Sequence, residues 1–168
     1  MTEAEHWHTV QRMLRGYRSA QMLIACAQLG VFRALATGSQ SALALASRLD
    51  ADPGALVRLL NAAVALDLLT KEGESYANGA LAATCLAEEG PFYLGNLVRR
   101  ESAFYQRWGY LAEAVRTGRR PEPNVRDEGQ TNWVRDFELA LYDLSRAIGP
   151  AVAETLDLPT DRPIRVLT

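Results

Sequence analysis

The sequence contains few of the residues that would tie it to a metal or to a disulfide framework. Its 168 residues include two cysteines and two histidines. Two cysteines do not make a disulfide scaffold, and Cys26 and Cys85 both lie among apolar residues. We therefore expect free, buried thiols, with a single disulfide as the alternative. His6 and His8 are two residues apart and would not share a helical face, so we expect surface histidines and no metal site.

Long hydrophobic runs and an excess of charge of one sign are also missing. No stretch reaches the roughly 18 apolar residues of a membrane span, and the acidic N-terminus has no apolar signal core. The 18 basic and 20 acidic side chains give a net charge of −2, which provides no general attraction to nucleic acid or to anionic lipid. These features predict a cytoplasmic protein that binds neither nucleic acid nor membranes.

The sequence does show helical periodicity, which begins near the N-terminus. Apolar residues recur at helical spacing from about His6 to Leu29. Gly16 predicts a bend or a break between two helices, and Gly30 predicts the end of the segment. Residues 31–35 are typical of a short helical turn.

Two capped helices and a hairpin are predicted next. Ser41 is expected to cap one helix, and Asp52 followed by Pro53 is a favourable start for another. Residues 69–71 and 75–77 flank a short glycine-containing turn, which predicts a β-hairpin. Helix, turn, helix and hairpin in this order indicate a winged-helix arrangement, in which the hairpin is the wing.

Long helices are predicted in the C-terminal half. One is expected to begin after Gly90-Pro91 and to run to about Val115, and another is expected over residues 131–156, with a kink at Pro150. The polar, proline-containing residues 119–129 predict an exposed loop. Residues 163–168 have the pattern of a β-strand, and we expect no sheet for it to join within these residues. The predicted fold class is mainly α, with a small β component.

Several short motifs follow one another along the chain. They are Gly16–Gln21, Leu29–Leu35, Ala44–Leu49, Leu56–Leu60, Trp108, Val115–Gly118 and Phe137–Leu141. None is diagnostic alone, but their order and spacing resemble the N-terminal winged-helix dimerisation domain of the plant caffeate-type and bacterial polyketide-type O-methyltransferases. The resemblance covers nearly the whole chain. It implies a homodimer whose complete enzyme uses S-adenosylmethionine.

The resemblance also implies a division into three parts. Residues 1–89 would form the N-terminal helices and the winged-helix dimerisation region. Residues 90–158 would form the long helices of the dimer and the substrate lid. Residues 159–168 would form a linker and the first strand of a Rossmann-like domain. In the family, a glycine-rich loop that holds S-adenosylmethionine follows such a strand. That loop and the catalytic base are not among these residues, so we expect no cofactor binding and no catalysis by this chain alone.

Candidate pocket residues come from the same resemblance. Phe104, Trp108, Phe137 and Leu141 match family positions that line the substrate pocket, and Ser145 matches a position near the methyl donor. Leu141 stands where family members often have methionine, so it keeps the volume without the thioether. The alternative is structural: Phe137, Leu141 and Ser145 are spaced four apart on one helical face and would be ordinary core with a satisfied hydroxyl.

Two further surfaces invite a functional interpretation. In relatives the N-terminal segment reaches into the pocket of the partner subunit, which implies that Trp7 and Val10 contact that pocket. A local basic run contains Arg99, Arg100, Arg116, Arg119 and Arg120. Such a run is usually a solvated face, and binding of an anionic substrate or of a catalytic domain is its less expected use.

The favoured function is therefore the dimerisation and substrate-pocket domain of an O-methyltransferase of secondary metabolism that acts on an aromatic or polyketide-like hydroxyl. One alternative is a winged-helix regulator that binds DNA. Between Arg48 and Glu74, however, three positive and five negative side chains give a net charge of −2, which opposes phosphate binding. Another alternative is a regulatory partner of a complete methyltransferase.

Overall fold

The computed structural model describes residues 2–119 and 133–156, and within these two ranges nine helices and three short strands form. The helices are α1 (Glu3–Arg15), α2 (Tyr17–Leu29), α3 (Val31–Ala34), α4 (Ala42–Leu49), α5 (Pro53–Ala65), α6 (Ala80–Cys85), α7 (Gly95–Trp108), α8 (Leu111–Thr117) and α9 (Trp133–Leu156). The strands are β1 (Gln40–Ser41), β2 (Leu69–Glu72) and β3 (Ser75–Asn78). The prediction of a mainly α fold is confirmed.

Some predicted features fall outside this description. The strand predicted at residues 163–168, and all but the first residue of the loop predicted over 119–129, lie beyond the two described ranges. α9 runs as one helix through Pro150, and the kink predicted at this proline stays a prediction.

Glycine ends each of the first two helices. α1 begins with a capping box, in which the Thr2 hydroxyl accepts from the Glu5 amide at 3.3 Å and the Glu5 carboxylate accepts from the Thr2 amide at 2.6 Å. Gly16 separates α1 from α2, as predicted. Gly30 has a φ of 77°, a conformation that favours glycine, and this left-handed residue ends α2.

The winged-helix arrangement is built by local capping and a hairpin. The Ser41 hydroxyl accepts from the Ala44 amide at 3.2 Å to start α4, and the Asp52 carboxylate accepts from the Ala55 amide at 2.7 Å to start α5. β2 and β3 pair antiparallel, which confirms the predicted hairpin. β1 adds a third strand beside β3. Because β1 is only two residues long, the sequence pattern did not predict this strand.

The hydrophobic core lies between the helices of the N-terminal half and the small sheet. Its largest fully buried side chains include Phe32, Leu45, Leu60 and Tyr76. The Tyr76 ring is buried, and its hydroxyl donates a hydrogen bond to Asn61 Oδ1 at 2.9 Å, which gives this polar group a partner. α5 turns its apolar side into this core, so the helix that a DNA-binding winged helix would use for recognition is mainly a packing element.

The helix predicted from just after Pro91 to about Val115 begins later than expected. Residues before α7 follow an irregular path against the end of α6, where the Phe92 amide donates to Thr84 O at 3.1 Å and the Leu94 amide donates to Cys85 O at 2.8 Å. These contacts satisfy carbonyls that a helix end leaves unpaired. The prediction of a helical start directly after Pro91 is wrong, because residues 92–94 pack against the end of α6 in this irregular path and the helix begins only at Gly95.

The same predicted helix is also interrupted in its second half. α7 ends at Trp108, and α8 begins only after Gly109 and Tyr110. Apolar residues continue at helical spacing across this break, so periodicity predicted a single helix. Glycine lowers the cost of leaving the helix by about 1 kcal/mol relative to alanine, and the chain turns there.

α9 packs against α7, and a buried carboxylate of α9 binds the N-terminus of α7. Asp143 is 3% exposed. It accepts from the Asn96 amide at 3.0 Å, from the Leu97 amide at 3.2 Å and from Asn96 Nδ2 at 3.1 Å. Arg146 adds a second attachment by donating to Pro91 O at 2.7 Å. Asp143 therefore caps α7 from a distant helix, where a negative charge also interacts favourably with the helix dipole.

Both cysteine thiols are free in the structure, and they differ in burial. Cys26 is fully buried in the core, whereas Cys85 is half-buried. Burial raises the pKa of the Cys26 thiol to about 11, so the reactive thiolate form is scarce near neutral pH.

We expect Cys26 to react with Ellman's reagent only when the protein unfolds. In a Cys85→Ser variant at pH 8, the native chain should react at least about 100-fold more slowly than the chain in denaturant, because both burial and the raised pKa suppress the thiolate. Equal rates in the two states would contradict the buried position of Cys26. The Cys26→Ser variant, measured in parallel, reports the accessibility of Cys85.

Candidate functional site

A cavity of about 600 Å³ lies between α2 and α3 on one side and α7 and α9 on the other. This volume is within the range of small-molecule sites. Two glycines line the cavity, and because they have no side chain they leave room for larger neighbouring residues. A side chain at Gly95 would collide with the Tyr93 ring, and the guanidinium of Arg33 lies 3.5 Å from where a Cβ would stand at Gly30.

Two of the residues predicted to line a substrate pocket meet in this cavity. Phe104 of α7 and Phe137 of α9 both contribute to its wall. The Arg100 guanidinium lies 5.7 Å from the centre of the Phe104 ring and 5.9 Å from that of Phe137, within the range of cation–π contacts. Arg100 is also paired with Glu101 at 2.8 Å. The two rings and the guanidinium form an aromatic end of the cavity.

The other predicted pocket residues lie elsewhere. Trp108 is 68% exposed and Leu141 is 45% exposed, and neither lines the cavity. Ser145 is exposed, and its hydroxyl donates to Leu141 O one turn earlier at 2.8 Å. Leu141, Ser145, Ile148 and Val152 form one exposed strip along α9. Leu141 and Ser145 follow Phe137 at four-residue spacing on α9, but only Phe137 lines the cavity.

The N-terminal helix presents an apolar face to its surroundings. Trp7 is 62% exposed and Val10 is 51% exposed, and no residue of α1 is buried. Met13 and Leu14 continue this face. We name these four residues the α1 face. An isolated helix of this length is marginal in water, so an exposed apolar face of this kind indicates a surface that another protein surface covers.

Sequence reasoning missed the polar end of the cavity. Tyr93 and Arg33 both line it, together with Arg99. The sequence predicts a solvated face for Arg99, Arg33 was noted only as part of the Leu29–Leu35 motif, and Tyr93 belongs to no motif. They come from three separate parts of the chain, and the tertiary structure places all three on the lining of one cavity. The local signal for Arg33 is its position as a lone basic residue between Phe32 and Ala34, which are both buried.

The Tyr93 hydroxyl sits in a mixed electrostatic environment. Burial, followed by the Glu88 carboxylate and with a smaller contribution from Asp143, raises its pKa, while Arg99 and Arg33 act in the opposite direction. A phenol is protonated at neutral pH even at its ordinary pKa, and this shift acts in the same direction. Tyr93 can therefore donate a hydrogen bond into the cavity.

The part of the chain that the structure describes offers no candidate for a metal site or a membrane span. That part holds no group of three or more histidine, cysteine, aspartate or glutamate side chains that could hold a metal ion. His6 and His8 are both exposed on α1. Among its helices, none combines the length and the apolar character needed to cross a bilayer.

Comparison with known proteins gives the class of the N-terminal half. Residues 11–88 match the family model of the O-methyltransferase dimerisation domain. The chain is 35% identical over 124 residues to acetylserotonin O-methyltransferase of Bos taurus, covering 70% of this chain and 36% of that protein. It is 32% identical over 150 residues to 3-hydroxy-5-methyl-1-naphthoate 3-O-methyltransferase of Streptomyces sahachiroi, covering 85% and 43%.

The fold comparison agrees with the sequence matches. The crystal structure of human N-acetylserotonin methyltransferase in complex with SAM superposes with a TM-score of 0.73 and 27% identity, covering 92% of this chain and 49% of that chain. The chain therefore contains an O-methyltransferase dimerisation domain, as the resemblance implied, and it spans less than half the length of each of these three relatives. These findings give no support to the DNA-binding alternative.

Proposed function

We propose that this chain supplies the self-association surface and part of the substrate pocket of an S-adenosylmethionine-dependent O-methyltransferase. The observation that carries the proposal is the α1 face in a chain whose residues 11–88 match a dimerisation domain. A homodimer would bury this face symmetrically, which is the commonest way in which soluble proteins cover such a surface. Trp7 and Val10 would then contact the partner subunit.

The proposed methyl acceptor is a hydroxyl on an aromatic or polyketide-like metabolite, in the cytoplasm. Relatives with aromatic substrates in their names support this class, including the naphthoate methyltransferase. Phe104 and Phe137 supply the aromatic wall that a flat acceptor needs. Their role would be to hold and orient the acceptor, which is a contribution of proximity to catalysis.

Trp108, Leu141 and Ser145 are proposed to act from the outer side of α7 and α9. Their exposure leaves them available to a further domain of the complete protein. The division into residues 1–89, 90–158 and 159–168 is retained as part of this proposal. Leu141 and Ser145 on the exposed strip of α9 would pack against the domain that carries the cofactor.

S-adenosylmethionine supplies an electrophilic methyl group when it is bound in such an enzyme. The human relative was solved with SAM, and another structural relative with SAH. On the α9 strip of the present chain, Ser145 is the one polar side chain among apolar neighbours, and a single hydroxyl suits a peripheral contact better than a complete cofactor site. We therefore propose that most of the donor site belongs to other parts of the complete protein.

The proposal is tested by two measurements on the 168-residue chain. Light scattering with size exclusion should give the mass of a dimer. Calorimetric titration with S-adenosylmethionine should give no saturable binding. A monomer at micromolar concentration would overturn the self-association proposal. Saturable micromolar binding would show that the donor site is contained in this chain, and our assignment of that site would be wrong.

A further inference from the structure

Gly95 is the first residue of α7, and the backbone there does not require glycine. Its φ does not lie in the left-handed region, and glycine in a helix is less favourable than alanine. What glycine provides is space. A Cβ at this position would collide with Oη and Cζ of Tyr93 and would stand 2.8 Å from Cε1. The phenol end of Tyr93 therefore lies directly on the backbone of Gly95.

The backbone on both sides of this contact is fixed by hydrogen bonds. The amides of Phe92 and Leu94, which flank Tyr93, donate to carbonyl oxygens of α6 at 3.1 and 2.8 Å. The two amides that follow Gly95 donate to the buried Asp143 carboxylate at 3.0 and 3.2 Å. Rotation of a side chain to another rotamer breaks none of these bonds. A side chain at residue 95 would therefore displace the Tyr93 ring and not the backbone.

The space open to a displaced ring is the cavity itself. Tyr93 and Gly95 both line this cavity of about 600 Å³, and Phe32, Leu86 and Val98 supply apolar parts of its lining. A ring that turns into the cavity keeps apolar contacts, whereas a ring that turns outward exposes apolar surface to water. A displaced Tyr93 ring would therefore occupy part of the cavity.

We propose that Gly95 sets the size limit of this cavity, because it lets the Tyr93 ring lie on the start of α7 instead of across the cavity. With glycine at this position the cavity takes a ligand of several fused rings. With a larger residue the Tyr93 ring fills part of the space, and only a smaller ligand fits. Gly95 is then a positioning residue that acts through Tyr93. That the ligand is the methyl acceptor rests on the proposed function, whereas the size limit depends only on the cavity.

The test compares two uncharged phenols of different size, 1-naphthol and the larger, four-ringed oestradiol. Their binding to the 168-residue chain is measured by equilibrium dialysis at pH 7. We expect Gly95→Ala to weaken oestradiol binding at least about 10-fold, because overfilling a packed site is unfavourable. The same variant should change 1-naphthol binding by less than about 3-fold, since the smaller ligand does not need the space that the ring takes.

A second set of variants tests whether the effect acts through the ring. Tyr93→Ala removes the ring, and adding Gly95→Ala to this variant should change oestradiol affinity by less than about 3-fold, because no ring is left to displace. A purely structural effect of Gly95→Ala would persist in the Tyr93→Ala background. The matched control is Gly149→Ala on α9, outside the cavity, where a Cβ would meet nothing within 4 Å. This control should change neither affinity.

Several results would overturn the proposal. They are the absence of binding of either phenol by the folded wild-type chain, unchanged or tighter oestradiol binding by Gly95→Ala, an equal loss for both phenols, and a loss that persists without the Tyr93 ring. Self-association and S-adenosylmethionine binding are measured separately, so each of these results would leave the proposed methyltransferase function standing.

Discussion

Replacing Asp143 by alanine is expected to lower the free energy of unfolding by about 2–4 kcal/mol, one of the largest effects of any single substitution outside the apolar core. The carboxylate accepts three hydrogen bonds from Asn96 and Leu97 while it is 3% exposed. Without it, the first turn of α7 loses its cap and buried donors lose their acceptor. Urea denaturation followed by circular dichroism measures the change.

Two control variants distinguish the loss of the Asp143 cap from a general effect of substitutions in α9. Glu138→Ala removes an exposed carboxylate from the same helix and should change stability by less than about 0.5 kcal/mol. Asp143→Asn keeps one acceptor oxygen, so its stability should fall between those of the wild type and Asp143→Ala. If Asp143→Ala and Glu138→Ala were equally stable, the capping role of Asp143 would be wrong.

Introducing two charges into the α1 face is expected to convert the dimer to a monomer. Trp7 is 62% exposed and Met13 is 76% exposed, and in the proposed dimer both would be buried against the partner subunit. Trp7→Glu combined with Met13→Glu should raise the dimer dissociation constant at least about 100-fold, because a buried aromatic anchor is lost and two unpaired charges are desolvated. Light scattering over a concentration series measures this constant.

The matched control introduces two glutamates on the opposite side of α1. His8→Glu combined with Arg15→Glu changes two exposed residues that do not belong to the α1 face, so the dissociation constant should shift by less than about 10-fold. If both double variants dissociated alike, the effect would come from net charge or from loss of the helix. The α1 face would then not be the interface.

Local signals were sufficient wherever an element is stabilised by its own neighbours in the chain. Ser41 and Asp52 were predicted as helix caps, and each accepts the backbone hydrogen bond that a cap should accept. Gly30 was predicted to end a helix and does so with a positive φ. Such features involve residues three or four apart, so the sequence contains all the information that decides them.

The candidate site was predicted only in part. Family resemblance suggested Phe104 and Phe137, which the structure brings to one cavity. It also suggested Trp108 and Leu141, which lie outside that cavity on exposed surfaces. The resemblance transfers positions from complete enzymes, in which further domains and a second subunit can cover such residues. Their environment in this chain alone is therefore a poor guide to their role.

The amino-acid sequence by itself determined the helical class, the winged-helix order of elements and the caps, because periodicity and capping act within one or two helical turns. Only the tertiary structure decided the start of α7, its cap by Asp143 and the presence of Arg33, Tyr93 and Arg99 on the lining of one cavity. Asn96 and Asp143 are 47 residues apart in the chain. Contacts over such separations depend on how whole helices pack, and no local pattern of residues encodes that packing.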